Sequence, residues 1–356
     1  MSNKPKIHKY KTQKGLVKKL RSDFSGIDFI LLFAYNGTGK TRLSMEFKEI
    51  GKRKTGQDRD TLYFNAFTED LFSWYNDFDG DNERYIKINS DSQFFLGFKE
   101  LALEDKIFSY LERYADFDFK IDYDTWKVVF SRGDSEHIKV SRGEENMFIW
   151  CVFLAVVQLA IDENESYNWI KFLYIDDPIS SLDDNNAIAV ASDLANLLKN
   201  SNDKFKTVIS SHHSLFFNVM CNELKTFTHK KYFLHKKDDT NEYTLRATDD
   251  TPFFHHVAMI DALKKAEESG KLYAYHFNML RNVLEKTSTF FGFKDFSDCI
   301  KGIEDEALYS RALNLLSHGK YSIYEPKEMV EDNKKLFKKI LEAFLDKYKF
   351  DLPELH

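Results

Sequence analysis

Cysteine is scarce, with three in 356 residues. Cys151, Cys221 and Cys299 are far apart and form no CxxC pair. A disulfide framework and a structural zinc site are both unsupported, and a reducing, cytoplasmic setting is expected. Long apolar runs are also missing. The longest, Phe148–Ile161, falls short of the roughly 18–20 residues a membrane span needs and is interrupted by Gln158. It is expected to be a buried core helix, and no membrane partner is expected. The basic N-terminus is not followed by an apolar core, which predicts no signal peptide. Positive charge is not in excess: the net charge is −6. A nucleic-acid partner must therefore be met by a local patch rather than by the whole surface. Internal repeats, low-complexity tracts and heptad runs are absent.

What is present is an ordinary globular composition, 43% hydrophobic and 30% charged, at a length that suggests two domains. Lys4, Lys6, Lys9, Lys11, Lys14, Lys18, Lys19 and Arg21 all precede the first acidic residue, Asp23. This segment reads either as a solvated, partly disordered arm or as a phosphate-contacting one. Bounded apolar runs at Phe29–Tyr35, Thr61–Phe67, Lys171–Asp176 and Phe205–Ser211 read as strands, with helices after Gly143 and from about Asp184. Phe119–Arg132 alternates like an antiparallel hairpin. The first part is thus an α/β sheet with an antiparallel extra layer. From about Thr251 helical periodicity takes over, at Met259–Glu268, Leu272–Phe291, Asp305–Ser317 and Lys327–Tyr348, punctuated by Gly270, Gly292, Gly302, Gly319 and Pro326. A boundary near residue 250 follows, with domains at 1–250 and 251–356.

The strand ending at Tyr35 runs into Ala34-Tyr-Asn-Gly-Thr-Gly-Lys-Thr41. This is a Walker A loop with Ala34 in place of the first glycine. Asn36, Gly37, Thr38 and Gly39 would bring backbone N–H groups onto phosphate oxygens. Lys40 would reach the β/γ-phosphates of ATP or GTP, and Thr41 would bind Mg²⁺. Phe172–Asp177 delivers a carboxylate at a strand end, the Walker B arrangement. There Asp176 would hold the Mg²⁺ and Asp177 stands where a glutamate usually does. Three further words point to an ABC-type ATPase. Ser180-Ser181-Leu182-Asp183 matches a D-loop, and Ser141-Arg142-Gly143-Glu144 resembles a signature with Arg142 replacing a glycine. The third is Ile209–His212, which matches a switch-histidine loop, with His213 as a rival for the same role. One Walker A and one signature per chain imply a homodimer with two composite sites.

Several of these words, with others, resemble the PrrC family of tRNA anticodon nucleases. They are AYNGTGKTRLS (34–44), YFNAFTEDLF (63–72), KVSRGEENMFIW (139–150), IDDPISSLDDN (175–185), HFNMLRNVLEKT (276–287) and LLSHG (315–319). YFNAFTEDLF lies where other ABC heads place a Q-loop. It contains no glutamine, which leaves Asn65 and Glu69 without an assigned role. The resemblance implies an ABC/SMC-like P-loop ATPase head with an antiparallel subdomain, followed by an all-α nuclease domain similar to HEPN ribonucleases. It also implies a latent antiphage toxin, silenced by a type I restriction–modification complex. Released, such a protein cuts lysine tRNA 5′ of the wobble base, leaving a 2′,3′-cyclic phosphate and a 5′-hydroxyl.

Residue by residue, the family's nuclease triad falls on Arg281, Glu285 and His318. The chemistry agrees. Attack by a 2′-hydroxyl needs a base, an acid for the leaving oxygen and a cation for the phosphorane, and it needs no cofactor. Glu285 and His318 suit the first two roles and Arg281 the third. Arg281 and Glu285 share one helix face. Tyr273, Tyr275, His276 and Phe277 offer stacking surfaces for unpaired bases, although core packing accounts for most such residues. The competing reading is a soluble SMC or DNA-repair-like ATPase, a DNA sensor with no nuclease.

Overall fold

The computed structural model describes residues 7–55, 59–65, 71–76, 84–95, 98, 103–162, 165–178, 184–201, 204–236, 242–248, 254–293, 295–301 and 328–348. Ser181, Asp183 and His318, with the expected helix Asp305–Ser317, lie outside them. The chain divides into two compact units, residues 8–247 and the remainder.

The first unit is built on a seven-stranded sheet. Its strands are β1 (Ile7–Tyr10), β2 (Phe29–Phe33), β3 (Thr61–Asn65), β9 (Phe172–Asp176), β10 (Lys206–Ser211), β11 (His229–Lys236) and β12 (Tyr243–Ala247), in the order β1-β12-β11-β2-β10-β9-β3. From β11 to β3 all neighbours are parallel. That explains the unbroken apolar run of β2, which is buried along its whole length. Helices α1 (Gln13–Asp23) and α2 (Lys40–Thr55) cover one face. There Leu16, Val17, Leu20, Leu43 and Phe47 meet Ile30, Leu32 and Val208. On the other face lie α4 (Arg142–Ile161) and α6 (Ser214–Glu223), where Phe64 packs on Phe153 at 4.5 Å and Phe33 on Phe217 at 5.4 Å. Helices α3 (Leu103–Leu111) and α5 (Asp184–Lys199) complete the layer. α4 is long and apolar enough to cross a bilayer by composition, yet 72% of its apolar window is buried. It is the core helix that the sequence predicts.

The extra layer is a second, antiparallel sheet, β4 (Phe72–Asn76), β5 (Arg84–Ile88), β7 (Lys127–Arg132) and β6 (Asp118–Asp122) in spatial order, with β8 (Ser135–Glu136) on β7. The expected hairpin is β6–β7. Asp122 turns it, accepting bonds from the N–H groups of Asp124 and Thr125.

The N-terminal basic segment corrects the expectation of a free arm. From Ile7 it is a strand followed by a helix, capped by the Thr12 hydroxyl. Lysines dominate its composition, but Leu16, Val17 and Leu20 form a stripe sunk in the core. Arg21 is committed to the fold. It binds both carboxylate oxygens of Asp60, at 2.8 and 3.0 Å, donates to the Phe47 carbonyl at 2.7 Å and lies over the Phe47 ring. Burial opposes ionisation of Asp60, but Arg21 and Thr61 outweigh it and hold the carboxyl below its ordinary range. Lys19 and Lys230 both pair with Asp23. Only Lys9, Lys11, Lys14 and Lys18 of the described basic residues project from the core, and Lys4 and Lys6 lie outside the described residues.

Gly51 in α2 backs onto this Arg21–Asp60 pair. A Cβ there would stand 1.9 Å from Asp60 Oδ1 and 3.0 Å from Arg21 Nη2. Gly51→Ala is therefore expected to destabilise the unit by about 1–3 kcal/mol, despite alanine's better helix propensity. Urea denaturation measures this, and an unchanged or raised midpoint would contradict the packing described.

In the second unit the regular elements among the described residues are helical: α7 (Phe254–Ser269), α8 (Tyr275–Phe291), a short 3₁₀ turn (Phe296–Ile300) and α9 (Glu331–Lys347). Leu263, Leu280, Leu284, Ile300 and Phe344 are among its buried residues, and Phe277 meets Phe337 edge-on at 5.3 Å. His276 is buried too. Burial pushes its imidazole down to about 4, and its Nδ1 accepts the Tyr273 N–H at 3.0 Å. His276 and Phe277 are thus core residues rather than base-stacking surfaces. Tyr273 and Tyr275 remain half-buried and stacked on each other.

Candidate nucleotide site and RNA-cleaving residues

The C-terminal ends of the parallel strands share one edge of the sheet, the edge where α/β folds place ligands. Strand register puts Asn65, Asp176 and Ser210 level with one another. The loop after β2 crosses the same edge. Gly37 and Gly39 have φ of 81° and 95°, the left-handed region that favours glycine, so the loop's sharp path depends on both. α2 then begins at Lys40, with its positive end at the loop.

Lys40 is almost fully buried. Its ammonium donates to the carbonyls of Ala34 and Tyr35 at 3.1 and 3.3 Å and to Asn36 Oδ1 at 3.3 Å, and it pairs with Asp177 Oδ2 at 3.0 Å. Asp177 has a positive φ of 49° and is anchored by its N–H on the Ser210 carbonyl. Its Oδ1 meets His212 twice, at the backbone N–H (2.9 Å) and at Nδ1 (2.7 Å). Burial works against the Asp177 charge, but His212 and Lys40 overcome it and hold the carboxyl below its usual range. Its neighbour goes the other way. Asp176 is fully buried, and desolvation, helped by the charge of Asp177, raises its carboxyl despite hydrogen bonds from Ser210 and Thr41. Adjacent carboxylates are thereby pushed apart, one firmly ionised and one that gains from a cation.

This donor set fits a Mg²⁺-nucleotide. A buried carboxylate and a hydroxyl are the hard oxygen ligands that Mg²⁺ takes, so Asp176 and Thr41 would hold it. Lys40 and the N–H groups of residues 36–41 would hold phosphate. The bound metal would neutralise charge building on the transferred phosphoryl group.

Among the expected nucleotide residues, the loop, Thr41, Asp176, Asp177 and His212 come together. His213 does not: it caps α6, its Nδ1 accepting the Phe216 N–H. The signature segment is separate. Ser141 caps α4 in a reciprocal box, with its N–H on Glu144 Oε2 at 2.7 Å, and Glu144 also pairs with Arg132. Ser141 and Glu144 are thus bonded to one another and Glu144 to Arg132, apart from the Lys40 cluster. A Cβ on Gly143 would meet nothing nearer than Ser141 Oγ at 3.9 Å, so packing within this chain does not demand glycine there. Sequence reasoning left Asn65 unassigned and missed Ser44, Tyr63 and Ser210. The signal was there in part, since a polar residue closing a buried parallel strand stands at the ligand edge.

In the helical unit, Arg281 Nε donates to Glu285 Oε1 at 2.7 Å, one turn along α8. The guanidinium lies 5.2 Å from the Phe296 ring. Glu285 is about half exposed, 47%, against 21% for Arg281. His318 lies outside the described residues.

The chain matches the AAA domain family model over residues 100–346. It is 36% identical over 328 residues to a protein named anticodon nuclease from Escherichia coli, with 82% of each chain covered. Together with the P-loop geometry at Lys40, these matches place the chain in the PrrC family of anticodon nucleases.

Proposed function

We propose that this protein is a tRNA anticodon endoribonuclease switched by ATP or GTP with Mg²⁺. What supports this reading is one pairing of chemistries in a single chain: a phosphate-directed lysine–carboxylate–histidine cluster in one unit and the Arg281–Glu285 pair in the other. The head, residues 1–250, is an ABC-type nucleotide-binding domain, and residues 251–356 form the HEPN-like nuclease domain. Arg281 stabilises the charged phosphorane, while Glu285 and His318 divide the base and acid roles. In-line attack by the 2′-hydroxyl leaves a 2′,3′-cyclic phosphate and a 5′-hydroxyl without help from a metal. The family resemblance extends the proposal to lysine tRNA as substrate, to cleavage 5′ of the wobble base, and to a cytoplasmic antiphage toxin. A type I restriction–modification complex would be the silencing partner.

The head acts as a homodimer or higher homo-oligomer, in which the signature around Ser141 and Gly143 faces the phosphate held by another protomer's Lys40; Ser181 and Asp183 of the D-loop are counted among the nucleotide-binding residues on the resemblance alone. The spare room at Gly143 is consistent with that approach. A Lys40 variant mixed with a Ser141 variant should then regain one intact composite site per dimer, and ATPase should rise above that of either variant alone. No gain on mixing would sink the composite-site proposal. Nuclease and DNA-sensor ATPase part on a simpler test. Induced expression should arrest growth and nick tRNA on a denaturing gel, and intact tRNA in arrested cells would favour the sensor.

A further inference from the structure

The box Tyr63–Phe72 opens inside β3, where alternation sends Tyr63 and Asn65 to one face and Phe64 to the other. On the first face the Asn65 amide donates to Asp176 Oδ2 at 3.1 Å and to the Tyr63 hydroxyl at 3.0 Å. Ser44 Oγ, on α2, lies 3.2 Å from the Tyr63 hydroxyl and 3.4 Å from Asp176 Oδ2. From the opposite neighbour in the sheet, Ser210 Oγ donates to Asp176 Oδ1 at 2.7 Å. Asn65, Ser44 and Ser210 are buried with Asp176. On the second face Phe64 is wedged against Trp150 and Phe153 of α4, at 5.1 and 4.5 Å, so the end of β3 has little room to shift.

We infer that Asn65, braced by Tyr63 and matched across the sheet by Ser210, is a positioning residue that fixes the carboxylate of Asp176 in the orientation that receives nucleotide-bound Mg²⁺. The residue types suit the task. An amide nitrogen and a hydroxyl give each carboxylate oxygen one fixed donor, and a cation would compete only with the hydroxyls of Thr41 and Ser44 for the lone pairs that remain. An aspartate at position 65 would repel Asp176 instead. Hydrogen bonds of this kind orient metal ligands, and their loss commonly lowers metal affinity by about 10–100-fold. The strand that opens the segment Tyr63–Phe72 thus belongs to the nucleotide site. This inference rests on the nucleotide reading of the Lys40 cluster.

The test uses the full-length chain and a fluorescent ATP analogue, titrated once in Mg²⁺ and once in EDTA. Lys40→Ala serves as the reference for the site itself. Asn65→Ala and Ser210→Ala should each cut the Mg²⁺-dependent gain in affinity by about tenfold while affinity in EDTA stays within about twofold of wild type. Tyr63→Phe, which keeps the ring and removes the brace, should cut the gain by less. If Asn65→Ala does not fold, Ser210→Ala and Tyr63→Phe carry the test. A wild-type Mg²⁺ gain in the folded variants overturns the inference, and so does an equal loss in Mg²⁺ and in EDTA, which marks a purely structural network. If wild type binds no nucleotide, or Lys40→Ala binds as wild type does, the nucleotide reading itself fails, and the inference falls with it.

Discussion

Replacing Lys40 by alanine should lower nucleotide affinity about 100-fold and abolish RNA cleavage with it. The size follows from what the ammonium does. In the structure it is buried at the start of α2, saturated by loop carbonyls, Asn36 and Asp177. Turned to phosphate, it would make charge-assisted contacts worth roughly 1.5–3 kcal/mol each, and about 2.8 kcal/mol is two decades in affinity. Alanine also leaves Asp177 facing the phosphates with His212 alone to offset its charge. Equilibrium binding and tRNA cleavage, measured on the same preparation, decide the matter. A Lys40→Ala chain that binds nucleotide weakly but cuts at the wild-type rate would refute the switch.

Arg281→Ala, Glu285→Ala and His318→Ala should each reduce cleavage by about 10³-fold or more, within the range general acid–base groups contribute. Nucleotide binding should persist. The structure makes this test clean. The Arg281–Glu285 pair is partly exposed, and such pairs add no more than about 1 kcal/mol to stability. A thousandfold loss of cleavage with a nearly unchanged unfolding midpoint would therefore report chemistry rather than collapse. If one step needs all the groups together, a double variant should be scarcely worse than a single. Cleavage should also survive excess chelator in a nucleotide-independent activated form. Its loss on chelation there would point to a metal-dependent hydrolase.

Much of this was legible before the fold was seen, for physical reasons that differ by element. β2, β9 and β10 are buried on both faces, so their apolar runs stood out, and the glycines of the loop marked the path to Lys40. α4 announced itself by apolar length. Its first residues illustrate an ambiguity, since Ser141 and Glu144 read as a signature and also form an ordinary capping box. α1 was obscured because its four basic residues, Lys14, Lys18, Lys19 and Arg21, outnumber the Leu16–Val17–Leu20 stripe. β11 carries His229, Lys230 and Lys231 before its apolar centre and gave a weak strand signal. The network around Asp176 was readable only in part, through the polar residues that close the buried strands. It joins Ser44, Asn65 and Ser210 across large sequence separations; the parallel register brings Asn65 and Ser210 level with Asp176, and the packing of α2 on the sheet adds Ser44.

One measurement bears most directly on the central claim that a nucleotide-gated helical unit cuts an anticodon loop. It is the mapping and chemical typing of RNA ends from cells expressing wild type, Lys40→Ala and Glu285→Ala. Wild type alone should give a single strong cut in the anticodon loop of one tRNA, with a 2′,3′-cyclic phosphate on the upstream fragment and a 5′-hydroxyl on the downstream one. A 3′-hydroxyl end, a cut outside the anticodon loop, or the same cut from the Glu285→Ala chain would contradict it.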